Sequence, residues 1–130
     1  MKKVTLGSRI LLGLAMLVFG LNGLMMFTRG SGFIPSPPPS PEMMTIMTGF
    51  MATKYLMILV KLLEVIAGAL ILSGFFMNAA LTMLGPIMVN IFCIHLFVER
   101  SGLPVAIIFC LMYGVLLYDR FDDFKALLRK

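Results

Sequence analysis

Charge is what this sequence has least of. Only 13% of its 130 residues are Asp, Glu, Lys or Arg, about half the share of a soluble domain, while 60% are hydrophobic and 12 are glycine. So little polar surface excludes a soluble enzyme and a disordered tail; the chain is built for lipid. Six acidic residues stand against eleven basic ones, a net charge of +5, but the basic residues gather at the two termini and form no stripe. That distribution excludes a nucleic-acid module.

Metal and redox ligands are equally scarce. With one histidine, a bis-His haem is impossible, and with only two cysteines a zinc or iron-sulfur site lacks its ligands. Cys93 and Cys110 form no CxxC. Counted along their helices they lie roughly 21 and 12 Å above the cytoplasmic ends, too far apart for Cα atoms that must approach within about 7 Å. No glycine-rich nucleotide loop and no Ser-His-Asp set is present. No protein-held metal and no covalently bound cofactor is expected, and the inventory names no reaction.

What is present is length without charge. A hydrocarbon core of about 30 Å needs roughly 20 apolar residues per helix. The chain offers four such stretches, at about 10–27, 55–76, 79–97 and 103–118. Lys2, Lys3 and Arg9 precede the first as in a signal peptide, yet the apolar run continues to Phe27 without a small-x-small cleavage site, so a retained helix is expected. Seven basic residues at the termini against Arg29, Lys54 and Arg100 on the other side place both ends in the cytoplasm, as four spans require. The expected architecture is an all-α, single-domain, four-helix antiparallel membrane bundle over residues 1–130, with tight turns at 73–78 and 98–102.

The long first connection is external on this topology. Its centre, Ile34 to Pro41, contains five prolines and should be extended. Ser40 reads as a helix N-cap and Pro41 as a first helical residue, opening a short external helix to Ala52 that Gly49 lets bend before Tyr55. Met43, Met47 and Met51 recur on it at a spacing of four. Thioethers can bind Cu(I), but methionine more often fills irregular apolar surface. At the other end of the chain, Tyr118 to Lys125 mixes aromatics and charges as a helix leaving the membrane would.

Ionisable groups inside a span cost about 3 kcal/mol or more, so each needs a reason. Lys61 and Glu64, three residues apart, share a helix face and can pair. Asn22 in the first span, and Asn90 and His95 in the third, complete the set. By helical rise, Asn22 and Glu64 lie roughly 18 Å above the cytoplasmic ends, Asn90 roughly 16, Lys61 roughly 22 and His95 roughly 24. One layer therefore holds five polar side chains from three helices, beneath the Pro-rich loop. A polar pocket is one reading, with Glu64 and Asn90 as principal contacts. Interhelical hydrogen bonds from the asparagines and a mutually neutralising Lys61–Glu64 pair are the other. His95 sits about 140° around its helix from Asn90, so it is expected to face another neighbour or the external interface.

Together, Phe19-Gly20-Leu21-Asn22-Gly23, Lys61-x-x-Glu64-x-x-x-Gly68, Pro86-x-x-x-Asn90-Ile91-x-x-x-His95-x-Phe97 and the Gly102-Leu103-Pro104 turn resemble the DoxX-like family. The resemblance implies a bacterial inner-membrane four-helix bundle. Some members are associated with quinone-linked sulfur oxidation or membrane redox-defence complexes, and more distant ones are described as chaperones or cargo receptors. It carries over no catalytic set. What it suggests is a quinone or another lipophilic small molecule at Asn22, Lys61, Glu64, Asn90 and His95, with electrons coming from a membrane redox partner. The competing expectation is a non-catalytic scaffold or assembly factor acting through protein contacts, including a homo-oligomer.

Overall fold

The computed structural model describes residues 2–130, and all regular structure among them is helical. Six α-helices follow in order: α1 (Lys3–Arg29), α2 (Pro41–Ala52), α3 (Leu56–Ser73), α4 (Met77–Phe97), α5 (Leu103–Asp119) and α6 (Phe121–Lys125). Single 3-10 turns precede α5 and follow α6. Helices α1, α3, α4 and the segment Arg100–Asp119 are each long and apolar enough to cross a membrane.

The helix ends differ from the apolar runs for local reasons. Helix α1 begins at Lys3 rather than near Ile10, because Val4 to Arg9 continue the helix past the lipid-matched stretch and bury Thr5 and Ser8. Helix α3 stops at Ser73, short of Phe76. Gly74 takes φ 80°, a left-handed conformation that glycine adopts without steric penalty, and its N–H bonds the Leu70 carbonyl. Phe75 and Phe76 are apolar but lie in the turn, and α4 starts at Met77. Helix α2 opens where capping chemistry puts it: the Ser40 hydroxyl accepts the Met43 N–H at 3.2 Å, with Pro41 in the first position. The expected bend at Gly49 is not there. The helix runs through Gly49 to Ala52, and the chain turns at 53–55, where the Thr53 hydroxyl accepts the Leu56 N–H and Lys54 takes φ 69°.

Helix α1 packs on α3 and α5, and α4 packs on the same two, the α1–α3 contact being the most extensive. Small residues make that contact close. A Cβ on Gly68 would lie 2.7 Å from the backbone nitrogen of Leu17 and 2.9 Å from the Gly13 carbonyl oxygen. Gly13, Gly20 and Gly23 repeat the pattern from the α1 side against Leu72, Val65 and Lys61. Lipid gives helices no hydrophobic incentive to associate, so such backbone approach, with its dispersion contacts, is what holds them.

Most of the buried core lies toward one end of the fold, although Ile87 and Met88 carry it past Pro86 and Ala106 is buried near the start of α5. Leu12, Met16, Ala67, Ile71, Ala80, Leu81, Leu84 and Leu116 lie toward the chain termini and the α3–α4 turn. Pro86 falls inside α4 and leaves the Thr82 carbonyl without its helical donor. One residue earlier, the Leu81 carbonyl accepts the Tyr113 hydroxyl from α5 at 2.7 Å, in space left by Gly85. On the outer faces, the exposed hydroxyls of Thr28, Thr45, Thr48 and Thr82 each donate to the carbonyl four residues earlier in their own helix.

Gly68→Ala places a methyl against backbone that cannot yield and is expected to lower stability in detergent by about 1–3 kcal/mol. Gly114→Ala, where a Cβ meets nothing within 4 Å, should be neutral or mildly stabilising. Melting of the two purified variants beside wild type checks both outcomes.

Candidate functional site

The half of the fold away from the core is open. A cleft of about 570 Å³ lies between α1, α3 and α4, with α2 across it. Asn22, Lys61, Glu64, Asn90 and His95 all line it, among apolar residues that include Phe19, Met26, Met57 and Ile91. Met43, Met47 and Phe50 of α2 contribute to the same wall, whereas Met44 and Met51 are exposed. A wall rich in unbranched thioethers can adapt to an irregular apolar body. A more open groove of about 600 Å³ between the start of α1 and α5 holds none of the five polar residues.

Lys61 and Glu64 pair as their spacing suggests. The ammonium donates to both Glu64 oxygens, at 3.0 and 2.9 Å. Glu64 is 2% exposed, and the Lys61 side chain retains 19% exposure. The aliphatic stem of Lys61 lies over Gly23, where any side chain would collide with it.

Asn22 faces the loop as well as the cleft. Its Oδ1 accepts the backbone N–H groups of Phe33 at 2.7 Å and Ile34 at 2.9 Å, and Gly32 leaves room for the amide. These two bonds fix the start of the Pro-rich segment against α1. Asn90 is different: its side chain is exposed to the cleft and makes no hydrogen bond to any described residue.

His95 reaches the turn after α4. Its Nδ1 lies 2.9 Å from the Glu99 carbonyl oxygen, and since a carbonyl only accepts, Nδ1 carries the proton. The ring packs beneath Gly102, where a Cβ would overlap it. His95 thus borders the same cleft as Asn90 despite the angle of about 140° between them, while its Nδ1 is engaged in the α4–α5 turn.

Glu99 escaped the sequence reading, which treated 98–102 only as a tight turn. Its Oε2 accepts the backbone N–H of Ser40 at 2.9 Å, and Oε1 accepts the Ser101 hydroxyl. A carboxylate is thereby set at the start of α2, where helix N–H groups favour negative charge. The Ser40 N–H, then the Ser101 hydroxyl, hold the Glu99 carboxyl below its ordinary value of 4.5. The clamp therefore contributes fully above that value and is lost as pH falls through the depressed one. A signal was available: Glu42 and Glu99 are the only acids outside the spans on the side of the Pro-rich loop.

No family model, no curated protein and no solved structure matches this chain.

Removing either partner leaves a lone charge beside the other's vacated position, so Lys61→Met and Glu64→Gln should each destabilise by about 3 kcal/mol. The double variant should lose less than the sum. Detergent melting curves of all four proteins give the coupling, and additive losses would mean that the two charges act independently.

Proposed function

We propose that the protein is a multi-pass inner-membrane protein that binds a lipophilic small molecule in the cleft between α1, α3 and α4. A quinone is the candidate that resemblance to the DoxX-like family suggests, with a membrane redox partner as the user of the bound molecule. In this reading the four long helices form an antiparallel bundle with both termini cytoplasmic and α2 external. The pattern of contacts, α1 and α4 each packed on α3 and α5, supports the bundle. The basic residues at both termini support the orientation.

One observation carries the binding reading: the polar side chains of three helices line a single cleft whose remaining wall is apolar. That combination, an apolar body site with a few polar contacts at one place, is the general form of a small-molecule site. A volume of about 570 Å³ accommodates a ring head group and the first part of a tail.

The scaffold reading keeps support of its own. Asn22 holds the Pro-rich loop, His95 holds the α4–α5 turn and Lys61 pairs with Glu64, so four of the five polar residues already have partners within the fold. In that case the cleft contributes only folding stability, and the external segment meets a partner protein.

Lipids extracted from purified protein should contain one quinone or other lipophilic species well above the detergent background. A short-chain ubiquinone analogue should raise the melting temperature by an amount that grows with its concentration. Asn90→Leu, which keeps the branched shape and the heavy-atom count of the side chain while removing its polar groups, should lower the occupancy. Nothing above background together with no thermal shift would favour the scaffold.

For the orientation, Ser36→Cys and Lys125→Cys in a background lacking Cys93 and Cys110 should react with a membrane-impermeant maleimide from opposite sides. Ser36→Cys should label in intact spheroplasts and Lys125→Cys only after lysis. Labelling of both from one side would refute the topology.

A further inference from the structure

Resting on the cleft as a lipophilic site, we propose that it selects molecules with an uncharged, hydrogen-bond-accepting head group and rejects ionised lipids. A basic membrane protein with a lysine in its cleft would ordinarily suggest an anionic ligand. The geometry of the pair argues against it. Lys61 and Glu64 are the only Lys, Arg, Asp or Glu side chains lining the cleft, and both Glu64 oxygens are held by the Lys61 ammonium, so their charges cancel locally. An anion could neutralise Lys61 only by displacing Glu64, which is 2% exposed and has no other hydrogen-bond partner among the described residues, and one that took the remaining ammonium N–H instead would set a second negative charge beside Glu64. A cation would strand Lys61 in the same way. Either exchange leaves a buried charge without compensation, a penalty that a neutral ligand avoids.

Hydrogen-bonding capacity remains. An ammonium has three N–H groups, and two are directed at Glu64, which leaves one. The Asn90 amide, on α4 across the same cleft, makes no bond to any described residue and sits within a membrane-spanning helix, where lipid tails offer none. Both leftover groups include N–H donors. A carbonyl, hydroxyl or amide oxygen meets them without disturbing the ion pair, while the wall of Phe19, Met26, Met43, Met47 and Met57 covers an apolar body.

The test uses the full-length protein in a non-ionic detergent at pH 7.5 and four ligands sharing a sixteen-carbon chain. Hexadecanol and palmitamide are neutral; hexadecanesulfonate and hexadecyltrimethylammonium carry charges that do not titrate. Native mass spectrometry, with melting temperature as a second readout, gives the apparent affinities. The two neutral ligands should bind at least about tenfold more tightly than either charged one. Glu64→Gln should reverse the order for the anion, because it frees Lys61, so that hexadecanesulfonate binds more tightly than hexadecanol. If that variant does not fold, Asn90→Leu keeps the ion pair and should weaken palmitamide by about tenfold while hexadecanesulfonate remains excluded.

Equal affinity of wild type for hexadecanesulfonate and hexadecanol would overturn the selectivity while leaving a lipophilic site in place. Unchanged palmitamide binding in Asn90→Leu would overturn the role of the accepting head group. Failure of all four ligands, with no species co-purifying, would overturn both the selectivity and the binding reading on which it rests.

Discussion

The close approach of α1 and α3 is the constraint from which the rest follows. Gly68 meets the α1 backbone directly, and Gly20 and Gly23 on the other helix admit Val65, Glu64 and the Lys61 stem. Glycine here serves two purposes. It brings two backbones together where apolar burial offers no reward, and it leaves room for a long cationic side chain to lie along the seam and turn back onto Glu64. Bulk at Gly23 would move Lys61, and with it the neutralising partner of a carboxylate that is otherwise buried.

The apolar core and the polar cleft are built along the same helices and meet near Glu64 and Ile87. Where Leu12, Met16, Ile71, Leu81 and Leu84 interlock, the helices bury one another's apolar faces. Beyond Glu64 on α3 and Pro86 on α4 the same helices bound a cleft, and α2 and the Pro-rich loop lie on that side. Both segments are tied by polar contacts at their starts, the loop by Asn22 and α2 by Glu99. Neither tie rests on burial, and no residue of α2 is buried.

The spans, the Ser40 cap and the Lys61–Glu64 pair were legible because each depends on near neighbours in sequence: hydropathy, a capping pattern, a three-residue spacing. Depth by helical rise also brought Asn22, Glu64, Asn90, Lys61 and His95 to one layer. Side-chain destinations were not legible. Nothing local shows that Asn22 turns to the backbone of Phe33, or that Glu99 reaches Ser40, since these bonds join residues far apart in the chain. Helix ends misled for a related reason. Hydropathy reports the length matched to lipid, whereas Gly74 ends α3 by backbone conformation and Thr53 redirects the chain after α2 by a hydroxyl contact.

The self-bonded threonines on the outer faces have a consequence for anything that meets the surface of the fold. Because Thr28, Thr45, Thr48 and Thr82 donate back to their own helices, those hydroxyls can still accept a hydrogen bond but have no O–H left to give. The Asn90 amide, in contrast, lines the cleft with its donors and its oxygen unbonded to any described residue. A free side-chain donor therefore stands in the cleft and not at these four threonines.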